Sequence, residues 1–142
     1  MTTTTHADAT QTASTGRSVV AVLAGFLAVA GLSLGTDQVL HMLEVYPPWG
    51  QTMSDSLFAV ALAYRVVYTV VGGWITARLA PRSPMRHVRV LAVIGLIAGS
   101  LGVVAQFAVA NLGPNWYPIG IAVTAYPLTW MGGKLGARTA EA

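Results

Sequence analysis

Four long apolar stretches, almost free of charge, leave this chain few ways to fold. They run from about Ser18 to Leu43, Asp55 to Ala80, His87 to Ala110 and Tyr117 to Ala137. Each is long enough to cross a hydrocarbon layer about 30 Å thick, which takes roughly 20 helical residues. Lipid cannot satisfy an open strand edge, and none of the stretches shows the alternating polarity of a strand, so helices are required. The expected fold is all-α: a four-span transmembrane helical bundle over residues 17–142. Composition agrees. The chain has 142 residues, 54% hydrophobic and 9% charged, whereas soluble domains carry roughly 25% charged residues. Too little polar surface is left to cover a water-soluble globule.

The first segment, residues 1–16, reads MTTTTHADATQTASTG. It lacks a basic n-region and a small-x-small cleavage site, so it is not expected to be a cleaved signal peptide. Its Thr, Ser and Ala have nothing to bury, which predicts a disordered polar tail with His6 solvated. Further along, Thr52 followed by Asp55 resembles a capping box for the second helix. Pro81 and Pro84 stop that helix and shape the next loop. The run Asn111-Leu-Gly-Pro-Asn115 predicts a tight turn before the fourth span, and Pro47-Pro48-Trp49-Gly50 stiffens the first connection.

The net charge is +3, but the basic residues do not line a groove for nucleic acid, and no nucleic-acid partner is expected. Arg17, Arg78, Arg82, Arg86, Arg89, Lys134 and Arg138 flank one side of the spans, whereas the opposite loops, Glu44 to Ser54 and Asn111 to Trp116, hold no Lys or Arg. This is a positive-inside pattern with both termini cytoplasmic. Trp49 and Trp116 then lie at the outer ends and Trp74 and Trp130 toward the inner ends, where amphipathic rings prefer the headgroup boundary. The lipid bilayer is the first partner, with anionic-lipid contact secondary. The chain has no cysteine, which excludes disulfides, thiolate metal sites and cysteine nucleophiles.

The two halves look alike. Val22-Leu23-Ala24, Ala30-Gly31 and Ser33-Leu34-Gly35 of the first span match Val90-Leu91-Ala92, Ala98-Gly99 and Ser100-Leu101-Gly102 of the third. The second span ends on Gly72-Gly73 with Ala77-Arg78, the fourth on Gly132-Gly133 with Ala137-Arg138. Two duplicated hairpins in parallel orientation would explain this; chance likeness among Gly/Ala/Leu-rich helices is the competing explanation. Gly31/Gly35 and Gly95/Gly99 are G-x-x-x-G pairs, which let backbones approach closely within one chain or between chains. Pro127 removes one backbone donor and is expected to bend the fourth helix.

The stretch Ala63-Tyr-Arg-Val-Val-Tyr-Thr-Val-Val-Gly-Gly-Trp-Ile-Thr-Ala-Arg-Leu-Ala-Pro81, with Tyr46-Pro-Pro-Trp49 before it, resembles small four-helix bacterial inner-membrane proteins that carry no assigned activity. The resemblance implies the four-span architecture and a bacterial cytoplasmic membrane. It implies no function.

Asp37 and His41 lie one helical turn apart, with Ser33 a turn below and Glu44 nearly a turn above, all on one stripe of the first helix. Arg65 shares a stripe of the second helix with Ala61, Tyr68 and Gly72. Closing the hairpin brings Asp37 within reach of Arg65, whose long stem can snorkel outward. A charge at mid-bilayer costs about 2.5–3.5 kcal/mol on insertion scales, and bidentate pairing would offset much of it.

Three readings of the cluster Ser33, Asp37, His41, Arg65 and Tyr68 stand side by side. The first is a structural one, in which Asp37 and Arg65 clamp the hairpin in register. The second is a path for a proton, an ion or a small solute. Intramembrane ionisable residues are functional candidates, and histidine is the residue type that changes charge near neutral pH. The third is a metal site from Asp37, His41, Glu44 and Asp55, which a single histidine supports weakly. Bis-histidine haem is disfavoured because His87 lies at the opposite face, and nothing calls for a cofactor. No hydrolase, metalloprotease or phosphate-loop motif occurs, and Ser33, Asp37 and His41 on one helix face make no triad. The chain is therefore expected to be no enzyme, with Tyr64 and Tyr68 serving packing. The leading expectation is a structural or interaction module that forms homo-oligomers or joins a larger membrane complex; an oligomeric transport unit is the alternative.

Overall fold

A computed structural model of the chain describes residues 3–109 and 113–141, with side chains described over 15–109 and 113–139. Four helices follow in order: α1 Thr3–Met42, α2 Asp55–Leu79, α3 Pro84–Ala108 and α4 Trp116–Glu141. Three of them, α1 over Thr15–Met42, α2 and α3, are long and apolar enough to cross a membrane, the features of a membrane protein. The fourth is 26 residues long, but Pro118, Pro127, Lys134 and five glycines or threonines between them dilute its apolar character.

The helix ends depart from sequence expectation in three places. Residues 3–16, expected to be disordered, continue α1 as helix. Extending an existing helix adds one bond per residue fixed, while the costly nucleus is already supplied by the apolar segment. Met1 and Thr2 lie outside the described residues. The capping box does not form: Ser54 is the N-cap of α2 and makes no side-chain cap bond, its hydroxyl pairing instead with that of Ser56 at 2.9 Å. Pro84 opens α3 rather than shaping the loop, because its fixed φ and missing N–H suit the first helical turn. Of the turn expected at 111–115, residues 111 and 112 lie outside the described residues.

Most large apolar side chains face outward, and small residues make up much of the interior. Leu34 is 66% exposed, Phe107 69% and Val123 69%, whereas Ala21, Ala61, Ala77, Ala92 and Thr76 are buried. In water this would be an aggregating surface. In hydrocarbon, where lipid tails are as apolar as leucine, helices associate by close packing of small residues instead. The glycines show where that packing occurs. A Cβ on Gly73 would strike the Thr129 carbonyl, one on Gly132 the Val70 carbonyl, and one on Gly136 would stand 2.7 Å from the Trp74 carbonyl. Together with Leu62 against Gly120, these contacts run in the same direction along both helices. Thus α2 and α4 are parallel and cross backbone to backbone.

The outer helices attach to this pair. Helix α3 runs antiparallel to α4, with Gly99 on Ala122 and Val88 on Gly133. Helix α1 runs antiparallel to α2, with Gly25 against Gly72 and Thr76. It meets α3 over a small area and, among the described residues, does not touch α4. Gly31, Gly35 and Gly102 have open space where a Cβ would go, and Gly95 has only Ala125 at 3.7 Å.

Helix-packing substitutions should therefore split into two classes in a thermal melt in detergent. Gly25→Ala, Gly73→Ala and Gly132→Ala each force a methyl into an occupied seam and should cost about 1–3 kcal/mol. Gly102→Ala, where a Cβ has open space, should leave the melting temperature unchanged or slightly raised. Equal behaviour of the two classes would contradict the packing described.

Candidate functional site

The polar cluster is built across the α1–α2 seam. Asp37 stands on α1 five residues before its C-terminal end, and Arg65 lies near the middle of α2. Their side chains reach each other, with Arg65 Nη2 donating to Asp37 Oδ2 at 2.5 Å. The pairing is not the bidentate one expected. The second carboxylate oxygen, Oδ1, accepts instead from the Tyr64 hydroxyl, and Arg65 Nη1 donates to the Tyr64 oxygen at 3.0 Å and to the Ala61 carbonyl at 3.4 Å. Tyr64 thus sits between the two charges as a bridge. The carboxylate receives a charged and a neutral donor, a fuller satisfaction than one contact alone provides.

Aromatic rings enclose the pair from the loop side. The Arg65 guanidinium lies 5.2 Å from the centre of the Tyr64 ring and 5.8 Å from that of Tyr117, distances at which a ring face attracts a cation. Tyr46, buried in the α1–α2 connection, brings its hydroxyl to 3.3 Å from that of Tyr64 and donates to the Leu57 carbonyl at 3.4 Å. Tyr68 pairs with Thr36 at 2.8 Å one turn away. Phe58 and Tyr117 pack with ring centres 5.0 Å apart.

Sequence reasoning missed Tyr46, Tyr117 and Thr36, and it assigned Tyr64 to packing. A signal for Tyr64 was present, since it adjoins Arg65. Tyr46 and Tyr117 become neighbours only through the loops, which no spacing along the chain reveals.

The remaining sequence candidates are placed elsewhere. Ser33 is buried on the inner side of the cluster, beside the cavity that Arg65 also lines. His41 does not join the Asp37–Arg65 pair. It stacks on Trp49 at 3.9 Å and meets Tyr46 edge-on at 5.4 Å, and its buried Nδ1 has no hydrogen-bond partner among the described residues.

Glu44 serves the backbone. At φ 57° it takes the left-handed position that ends α1, with its N–H bonded to the His41 carbonyl at 3.1 Å and the Val45 N–H to Leu40 at 3.0 Å, the Schellman pattern usually given to glycine. Among the described residues no three His, Asp or Glu side chains are close enough to share a metal ion. Gln106, the polar residue of the second half, ties α3 to its following turn through the Gly113 carbonyl at 2.6 Å.

At the other end of the bundle, two tryptophans carry cations one turn on: Lys134 over Trp130 at 3.6 Å and Arg78 over Trp74 at 5.5 Å. Comparison with protein-family models, with curated proteins and with solved structures found no match for this chain.

The network predicts a ranking of stabilities by thermal melt in detergent. Asp37→Asn leaves a mostly buried guanidinium without its counter-charge and should cost about 3 kcal/mol, the low end for a broken buried pair because Arg65 keeps some exposure. Tyr64→Phe removes a hydrogen bond to a charged group and should cost roughly 1.5–3 kcal/mol. The exchange Asp37→Arg with Arg65→Asp should recover much of the first loss. Asp37→Asn melting like the parent would show that the pair does not clamp the hairpin.

Proposed function

We propose that this chain is a small structural or interaction module of the bacterial cytoplasmic membrane. It crosses four times with both termini inside, and it self-associates through the outward glycine face of α1. The observation that carries the proposal is the unequal use of the pairs Gly31/Gly35 and Gly95/Gly99. Gly99 is consumed against Ala122 of α4 with Gly95 facing Ala125, while Gly31 and Gly35 meet nothing among the described residues. A pair of glycines on an apolar helix, left uncovered, offers the close backbone approach that drives association in lipid. Thr36, Val39 and Leu40 continue this shallow outward groove, and a second copy of α1 would fit there.

Several features support the four-span arrangement. At 1.5 Å per residue, α4 reaches about 39 Å, and its backbone seam with α2 ties its depth to that of an apolar span. The basic residues at one end, with the cation-bearing Trp74 and Trp130 beside them, mark a cytoplasmic headgroup boundary. The Asp37–Arg65 clamp fixes the register of α1 on α2, and hence the direction in which the Gly31/Gly35 face points. Duplication of an ancestral hairpin accounts for the matched motifs, although the doubled glycines now serve in opposite order: Gly72 meets α1 and Gly73 meets α4, while Gly132 meets α2 and Gly133 meets α3.

The absence of cysteine makes the test clean. Single-cysteine chains in native membranes should form disulfide-linked dimers under mild oxidant with Gly35→Cys and not with Leu101→Cys, which sits on an exposed face of α3. A reporter fused after Ala142 should be active only in its cytoplasmic form. Absence of the Gly35→Cys dimer, or a reporter on the outer surface, would refute this reading.

A further inference from the structure

A cavity of about 310 Å3 lies between the four helices, on the side where α1 stands away from α3 and α4. Its walls are apolar: Phe26 and Val29 of α1, Leu62 and Val66 of α2, Ala98 and Gly102 of α3. Its volume is at the small end of the range for ligand sites, roughly 300–1,000 Å3, which are typically apolar with a few placed polar groups.

Two of the hydroxyls in the wall are already engaged. Thr69 donates to the Arg65 carbonyl at 2.7 Å and Thr124 to the Gly120 carbonyl at 2.6 Å. The polar group that stands out is Arg65, whose side chain keeps 22% exposure. A guanidinium has five N–H donors. Among the described residues Nη2 spends one on Asp37, and Nη1 gives one each to Tyr64 and Ala61. The Nε–H and the second Nη2–H donate to none of them. A donor left facing hydrocarbon costs the free energy of its missing bond, so an occupant that brings an acceptor gains what a plain hydrocarbon chain does not.

We propose that this cavity binds a neutral amphiphile, an apolar body carrying a carbonyl oxygen that accepts from Arg65. The charge balance selects the neutral class. Asp37 already compensates Arg65, so an anionic headgroup would place a second negative charge beside the Asp37 carboxylate in a low-dielectric setting and leave one of the two uncompensated. A carbonyl oxygen of an ester, ketone or quinone meets the free donors and leaves the clamp intact. The site goes beyond the self-association proposed above and uses a different face of α1. It rests on the membrane placement alone, and failure of the Gly35→Cys dimer would not touch it.

The test uses the full chain in mild detergent and three radiolabelled probes that share one chain length: methyl palmitate, palmitate and hexadecane. Retention is measured by gel filtration across a titration. Methyl palmitate should bind saturably, one per chain, and roughly tenfold to hundredfold tighter than hexadecane, the worth of a hydrogen bond to a charged donor. Palmitate should bind no tighter than hexadecane. Ala98→Leu and, from the opposite wall, Ala30→Leu should each weaken methyl palmitate retention about tenfold or more with an unchanged melting temperature. The double change Asp37→Leu with Arg65→Met should abolish the preference for the ester over hexadecane. Equal retention of all three probes by the unmodified chain, tightest binding of palmitate, or full retention by a folded filled-cavity variant would each overturn the proposal.

Discussion

Everything in this bundle is referred to the seam where α2 and α4 lie backbone on backbone. Gly73, Gly132 and Gly136 remove the side chains that would hold the two helices apart, and the gain is close dispersion contact where burial of apolar surface gives no advantage over lipid. A methyl at any of the three meets main-chain carbonyl atoms, which cannot swing aside as a side chain can. The seam therefore sets the relative depth and rotation of α2 and α4. Through Gly133 and Ala122 on α4 it also sets where α3 may seat.

Helix α1 is held differently. Near the middle of α1 Gly25 lets it approach Gly72 and Thr76, and toward its C-terminal end Asp37 and Thr36 bond Arg65 and Tyr68. One attachment is steric and the other electrostatic, a few turns apart. Between them α1 has α2 on one side and no α4 on the other, and the cavity lies there. The Asp37–Arg65 contact ties this part of α1 to α2. Tyr64 is central to it, because it satisfies the carboxylate oxygen that Arg65 leaves open.

The architecture was legible because lipid allows so few solutions. Long uncharged stretches could only be helices, and apart from the start of α1, which lies well before Ser18, helix ends were placed within a few residues. Asp37 and Arg65 stood out as charges in apolar surroundings, and antiparallel closure of a short loop sufficed to pair them. Other parts were hidden for definite reasons. Which G-x-x-x-G pair is consumed internally depends on helix rotation, so Gly31/Gly35 and Gly95/Gly99 looked equivalent. Gly25 belongs to no doublet or spaced pair, yet it makes one of the tightest approaches, against Thr76 and Gly72. Glu44 and His41 looked like ligands beside Asp37, but the chain turns at Glu44, and that turn carries His41 onto Trp49 instead. The oxygen of Tyr64 is invisible in any hydrophobic pattern because the ring counts as apolar.

The separation of 28 positions from Asp37 to Arg65 also bears on how the chain is made. A ribosome delivers α1 well before α2, so the carboxylate arrives while its guanidinium partner is still unsynthesised, and the same imbalance would recur for α2 if it entered alone. Neither helix is a comfortable single passenger. The two charges cancel only when both helices are present, which favours entry of α1 and α2 into the membrane together, as a closed hairpin.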